Sequence, residues 1–423
     1  MKSVKLIEEH KPYIFSPTSK GVVIDSGEGC FLRDVDGHKY LDLAAGVWCS
    51  ILGHSNKDLN DAIIHQTKKI IHLGYGFWST SVFEAIKQIV SITPKNLSKV
   101  LLLCTGSEAT EFALKIAKIY TDKFEVVGIE RGYYGATQAA LSVSDRRMAF
   151  PRTPGSHKIL APYCYRCPVK QEYPGCDFLC LEVSQKLIES NTTGKIAAFI
   201  FEPVFGSTII VPPKDYFKRL KELADEYDAL LIDDEVTTGI GRTGEWFGFQ
   251  HYGIEPDILF MSKTLGAGFP VAAVVTTPEI EEECQKKKMV HVQSHMFDPL
   301  PPAAAEIVIK TVKEEKLLER SKKQGTYFLK RLNELKENYE VIGDVRGKGL
   351  MIGIELVDPK TKSLNLELGV KIESDLLKKG IIMPFSSLTS VFRLYPPLII
   401  ETQEIDQAIE KFDETLRKNS KIK

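Results

Sequence analysis

Lys263 stands where an amine could react, because it follows the apolar run Ile258–Met261 and opens the turn Thr264-Leu-Gly-Ala-Gly268. Such a run reads as a buried strand, and the glycines as the turn that ends it. An ammonium held away from bulk water is costly, so burial favours the neutral, nucleophilic amine. The usual partner of an amine nucleophile is an aldehyde cofactor. Two other readings fit the same residues. A lysine beside Gly-Ala-Gly is common at strand ends without any chemistry, and Gly266-Ala-Gly268 holds the first two glycines of a dinucleotide-binding turn. The third glycine is missing, since Val271 takes its place, and no βαβ unit with a suitably placed acid follows.

Three further strand ends supply what an aldehyde cofactor needs. Thr105-Gly106-Ser107 follows the strand candidate 100–104 and opens a helix, so backbone N–H groups and hydroxyls can hold a phosphate. A Gly-Ser helix start is also an ordinary cap. Tyr133 follows the strand candidate 126–130 and could stack on a planar ring or pack in the core. Asp234 follows 229–232, where a buried carboxylate is expensive unless paired; a protonated ring nitrogen is a partner that would justify it. Metal binding competes, but no histidine lies in this stretch. Val236 falls on the same strand side as Asp234 and can press against the ring. A phosphate cradle, a stacking aromatic, an acid for a pyridine nitrogen and a Schiff-base lysine are together what pyridoxal 5′-phosphate requires.

On these residues the chain resembles the class III aminotransferases among the fold-type I pyridoxal-phosphate enzymes, from Leu32 to the final helix. The phosphate segment matches Thr105-Gly-Ser-Glu-Ala-Thr-Glu111, the stacking aromatic Tyr133, the acid segment Asp234-Glu-Val236, and Gly241-Arg-Thr-Gly244 follows as in the family. The resemblance implies that Glu202 and Thr237 also border the cofactor. Around Lys263 and at Ser294-His-Met-Phe-Asp298 the chain is most similar to the dialkylglycine decarboxylase branch. A hydroxyl at the position of Ser294 crosses to the phosphate of the neighbouring subunit there, which implies a homodimer, or a tetramer built from dimers, with sites at the interface.

Departures from the family narrow the reaction. Thr237 replaces the usual glutamine, Tyr134 the frequent histidine, and Val47 the decarboxylase glutamine that orients the scissile carboxylate, which argues against decarboxylation. Arg393, at the end of a strand, matches the family's carboxylate-binding arginine, and its fork suits a two-pronged contact. The glutamate that masks this arginine in ω-amine enzymes is Ser207 here. The expectation is transfer of an amino group between an α-amino acid and a 2-oxo acid, with Val47 and Trp48 beside a hydrophobic side chain. Amino-acid racemisation or epimerisation is the alternative, because class III also contains racemases.

The elements that must position these residues alternate between helices and short apolar strands from about 57 to 310, which predicts an α/β fold with a mostly parallel sheet covered by helices. The expected division is an arm and part of a small domain over 1–56, a large cofactor-binding domain over 57–315, and the rest of the small α/β domain over 316–423. Phe31–Leu43 reads as a hairpin about Asp36-Gly37, Val341–Val357 as glycine turns feeding a strand, and Thr402 as the cap of the last helix. At 423 residues the chain exceeds a single core, and its net charge of -1 supplies no general attraction to nucleic acid. No stretch approaches the about 18 uncharged apolar residues of a membrane span, and the start lacks a signal-peptide core, so a cytoplasmic location is expected. An insertion over 161–180 carries Cys164, Cys167, Cys176 and Cys180, spaced C-x2-C-x8-C-x3-C. Structural zinc, disulfides and reduced or redox-active thiols all fit that spacing.

Overall fold

The computed structural model describes residues 2–15, 19–74, 76–145 and 152–421. Its central sheet has seven strands in the order Lys99–Leu103, Ala272–Thr276, Ile258–Met261, Leu230–Asp234, Ile196–Phe201, Glu125–Ile129 and Ser156–Ile159. Ala272–Thr276 alone runs against the others. Every residue of Ile196–Phe201 and Ile258–Met261 is buried, which accounts for their unbroken apolar runs. Their side chains alternate between two cores: Leu259 and Met261 enter one, Ile258 and Phe260 the other. Helix Gly106–Thr121 covers the second core, touching strands Ile258–Met261, Ala272–Thr276 and Ile196–Phe201.

Because the parallel strands share a direction, the residues that follow them gather on one rim of the sheet. Thr105, Tyr133, Glu202, Asp234 and Lys263 all leave strands there. Two smaller sheets flank this rim. Ile24–Glu28, Phe31–Asp34 and Lys39–Asp42 pair in antiparallel fashion and accept Ile381–Ile382 as a parallel fourth strand. The third sheet runs Ile342–Lys348, Met351–Leu356, Val391–Leu394, Phe385–Ser386. The expected hairpin about Asp36-Gly37 forms, with Asp34 Oδ1 accepting N–H bonds from Asp36 and His38.

Three local expectations need correction. The segment 341–357 is a pair of antiparallel strands turning at Gly349, with Val345 opposite Ile354. Strand Ser156–Ile159 is short and only one of its residues is buried, so periodicity could not reveal it. The last helix is capped by Glu401, one residue before Thr402. Glu404 accepts the Glu401 N–H at 2.8 Å, and Thr402 Oγ1 instead donates to Gln324.

Gly325 shows how closely helix Leu317–Asn338 lies on the third sheet, since a Cβ there would stand 2.1 Å from the carbonyl oxygen of Gly349. Gly325→Ala should therefore lower the thermal midpoint by forcing helix and turn apart, at a cost of about 1–3 kcal/mol. Gly74→Ala, with nothing within 4 Å of the added carbon, should melt like the wild type in the same scan.

Candidate active site

The rim residues enclose a cavity of about 310 Å3. Its walls include Thr105, Gly106 and Ser107 at the helix start, Tyr133 and Glu202 from two strand exits, and Asp234, Val236, Thr237 and Lys263 from two more. Val47, Trp48, Ser207 and Arg393 complete it. Every site residue expected from the sequence lines this space except Ser294. That serine is exposed on a loop anchored by Asp298, which accepts from His72 Nδ1 at 2.6 Å and also bonds His295. It does not reach the cavity of its own chain.

Lys263 and Asp234 are both removed from water. Burial lowers the Lys263 pKa, opposed by the charges of Asp234, Cys49 and Glu202. Burial raises Asp234 well above the usual carboxylate range, as does the charge of Glu202, while a 2.9 Å bond from Val236 N to Oδ1 works the other way. A cationic ring nitrogen beside Asp234 would restore its carboxylate form. Glu202 is pushed up to about 7 by burial although its oxygens accept N–H bonds from Tyr133 at 2.9 Å and Gly206 at 2.8 Å. Asp233 and Glu235 turn away from the cavity and are fully buried, with Glu235 accepting from Thr238 Oγ1 and Phe249 N.

At the other end, the amides of the first helical turn have no intrahelical partners and point toward an anion. Thr105 is the N-cap, its Oγ1 accepting from Glu108 N at 3.2 Å while Glu108 accepts the Thr105 amide. Glycine is needed here: a Cβ on Gly106 would meet Val236 at 3.2 Å, and one on Gly135 would meet Ser107 Oγ at 2.8 Å. Thr237 Oγ1 is buried without a hydrogen-bond partner among the described residues. A phosphate-bearing, planar, polar molecule fits these donors and walls, so the residues suit pyridoxal 5′-phosphate.

Sequence reasoning named Val47, Trp48 and Arg393 but missed the turn that sets the wall beside Arg393. Ala45, Gly46, Val47 and Trp48 all have positive φ, between 41° and 71°, forming a left-handed turn in which only Gly46 is at ease. This turn leaves Val47 on the cavity and drives Trp48 inward, where it stacks on Tyr395 at 3.6 Å with 11° between the rings. The Arg393 guanidinium lies 5.5 Å from the Trp48 ring centroid and Lys263 Nζ 5.2 Å from it. Gly46 is the only sequence signal for that conformation. Arg242, from Gly241-Arg-Thr-Gly244, is fully buried behind this wall and donates to the carbonyls of Leu350 and Pro396.

The four cysteines of the insertion surround a separate small cavity, and no three of their sulfurs lie within 4.8 Å of one another. Their sulfurs therefore do not stand at zinc-coordinating distances of one another, and the chain between Cys167 and Cys180 is a series of turns. Among the described residues, the group that does bring three ligand-type atoms within that distance is His72, His295 and Asp298. Cys30 and Cys284 are buried packing residues, whereas Cys49 and Cys104 are half-buried.

This fold and site define a pyridoxal-phosphate-dependent transferase. The profile of the family described as "Aminotransferase class-III" matches residues 14–416. An uncharacterized aminotransferase from Schizosaccharomyces pombe is 38% identical over 93% of this chain and 90% of its own length. A leucine/methionine racemase from Thermococcus litoralis is 34% identical over 98% of this chain and 96% of its own. Among solved structures, the omega transaminase from Pseudomonas jessenii in complex with PMP superposes with a TM-score of 0.90, covering 98% of this chain and 99% of that one at 28% identity. The chain belongs to the class III aminotransferases, whose cofactor is pyridoxal 5′-phosphate.

Two outcomes follow for the site. Lys263→Ala should lower amino transfer by at least about 10²–10⁴-fold, and borohydride treatment followed by peptide mapping should find a pyridoxyl group on Lys263 of the wild type only. In the cofactor-free chain Glu202 has a folded pKa, about 7, above its ordinary 4.5. The stability this contributes is complete below 4.5 and is lost as pH rises through about 7. Urea midpoints at pH 5 and pH 8, both chosen as roughly bracketing that window, should differ less in Glu202→Gln than in the wild type.

Proposed function

We propose that this enzyme moves the amino group of an α-amino acid bearing a medium or large apolar side chain to a 2-oxo acid, with Lys263 as the covalent attachment point for the cofactor. The observation that carries the reading is Arg393. Its Nε is buried without a hydrogen-bond partner among the described residues, on a wall of the cavity that also holds Lys263. Of the carboxylates lining that cavity, Glu202 is bound to two amides and Asp234 accepts from Val236 N. Ser207 is uncharged and donates to the carbonyl of Arg131. Arg393 is thus available to a substrate carboxylate in both half-reactions.

When bound, pyridoxal phosphate supplies an aldehyde for the substrate amine and a ring that accepts the electrons of a broken Cα bond. The protein does the positioning. Arg393 holds the α-carboxylate in two-pronged fashion, and Trp48, pinned by Tyr395, fixes the height of the guanidinium. Val47 at the cavity edge offers apolar surface to the side chain. Lys263, whose pKa burial lowers, takes the proton from substrate Cα and holds it for return. Asp234 keeps the ring nitrogen protonated.

The second reading, racemisation, is favoured by the leucine/methionine racemase among the relatives. There the proton returns to Cα on the opposite face. Single enantiomers incubated without a 2-oxo acid separate the two: keto-acid formation only with an acceptor supports transfer, and inversion without one supports racemisation. We also infer a homodimer in which Ser294 serves the neighbouring site. The exposed apolar residues Phe77, Trp78, Val290 and Val292 give a second copy a surface to cover.

Arg393→Leu should raise KM for α-amino acids by about 10–100-fold, the loss of a charged, two-pronged contact. Ser207→Glu should raise KM for the same substrates while improving turnover of 4-aminobutyrate or ornithine. A wild type that prefers those ω-amines to every α-amino acid would defeat the proposal.

A further inference from the structure

The insertion over 161–180 takes no part in the cavity around Lys263. Cys164, Cys167, Cys176 and Cys180 nevertheless all line one cavity of about 20 Å3, room for about one water or ion. No carboxylate or histidine lines it. The ligand set is wholly sulfur, which selects soft or borderline cations over calcium or magnesium. Gln171 N already donates to Cys167 Sγ at 3.4 Å, a contact that a thiolate would strengthen.

The sulfurs must close to bind. Four sulfurs at about 2.3 Å from one zinc ion stand about 3.8 Å apart, closer than any three of these are now. The ends of the insertion are fixed: Tyr163 and Arg166 donate to the fully buried Glu355, and Cys180 lies in helix Leu179–Asn191. Residues 170–175 between them are exposed turns, so moving them sacrifices little burial.

We propose that Cys164, Cys167, Cys176 and Cys180 bind one zinc-class divalent ion, drawing the insertion closed over Glu355. The ion would thereby steady a network that reaches the substrate cavity. Arg346 bonds Glu355 and also the carbonyls of Thr208 and Ile209, the residues that follow cavity-lining Ser207.

The test is metal analysis of the holoenzyme purified without chelators. One zinc ion per chain is expected, released by a mercurial thiol reagent, and cobalt exchange should give sulfur-to-cobalt charge transfer with intense visible bands of tetrahedral cobalt. The double variant Cys164→Ser with Cys176→Ser should lose the ion yet keep borohydride-fixable cofactor on Lys263. His72→Asn should keep the ion. The proposal is overturned by a protein that takes up neither metal, by an ion that survives in the cysteine variant, or by disulfides among these cysteines in non-reducing peptide maps. Should the double variant fail to fold, the cobalt spectrum of the wild type decides alone.

Discussion

The site depends on bringing a lysine amine and an aspartate carboxyl out of water into one cavity. Each is costly there alone, and each is shifted by burial toward its neutral form. The surrounding fold offsets that cost by anchoring both on strands buried along their whole length, Leu230–Asp234 and Ile258–Met261. A ligand with a cationic ring nitrogen and an aldehyde carbon relieves both penalties at once. The cavity is therefore better matched to its cofactor than to water, and the same desolvation favours the neutral amine of Lys263.

A second constraint shapes the wall beside Arg393. Four successive residues with positive φ, including the β-branched Val47, store backbone strain beside the reacting groups. The strain is held by the Trp48–Tyr395 stack, by the Trp48 amide bonding to the Ala44 carbonyl at 3.1 Å, and by Tyr395 N bonding to Leu43 at 2.9 Å. These contacts join the N-terminal segment to the strand that carries Arg393. Arg393, the tryptophan wall and Lys263 are thus parts of one packed unit, although Trp48 and Arg393 lie more than three hundred residues apart in the chain.

The flanking segments are tied to this unit through charge. Glu355, fully buried, accepts from Tyr163, Arg166 and Arg346, and Arg346 reaches the carbonyls behind Ser207. An unpaired carboxylate in that position would be untenable, so the cysteine-bearing insertion is held wherever this network forms. The insertion is in this way linked to the substrate cavity.

How much could be read in advance follows the range of the interactions. Local patterns carried the apolar strands 196–201 and 258–261, the Asp36-Gly37 hairpin, and the Thr105, Asp234 and Lys263 positions at strand ends, because burial on both faces and tight turns leave marks on neighbouring residues. Gly46 alone hinted at the left-handed turn at 45–48, and nothing local marked the cap at Glu401 or the strand Ser156–Ile159. The spacing of the four cysteines suggested a cage, yet the distances between their sulfurs depend on how turns fold against Glu355. Residue types and their order determined the chemistry available to this chain, since an amine after a buried strand is shifted wherever the strand lies. Only the tertiary structure decided that Arg393 lines the same cavity as Lys263 and that Ser294 does not reach it, because side chains distant in sequence meet only through packing.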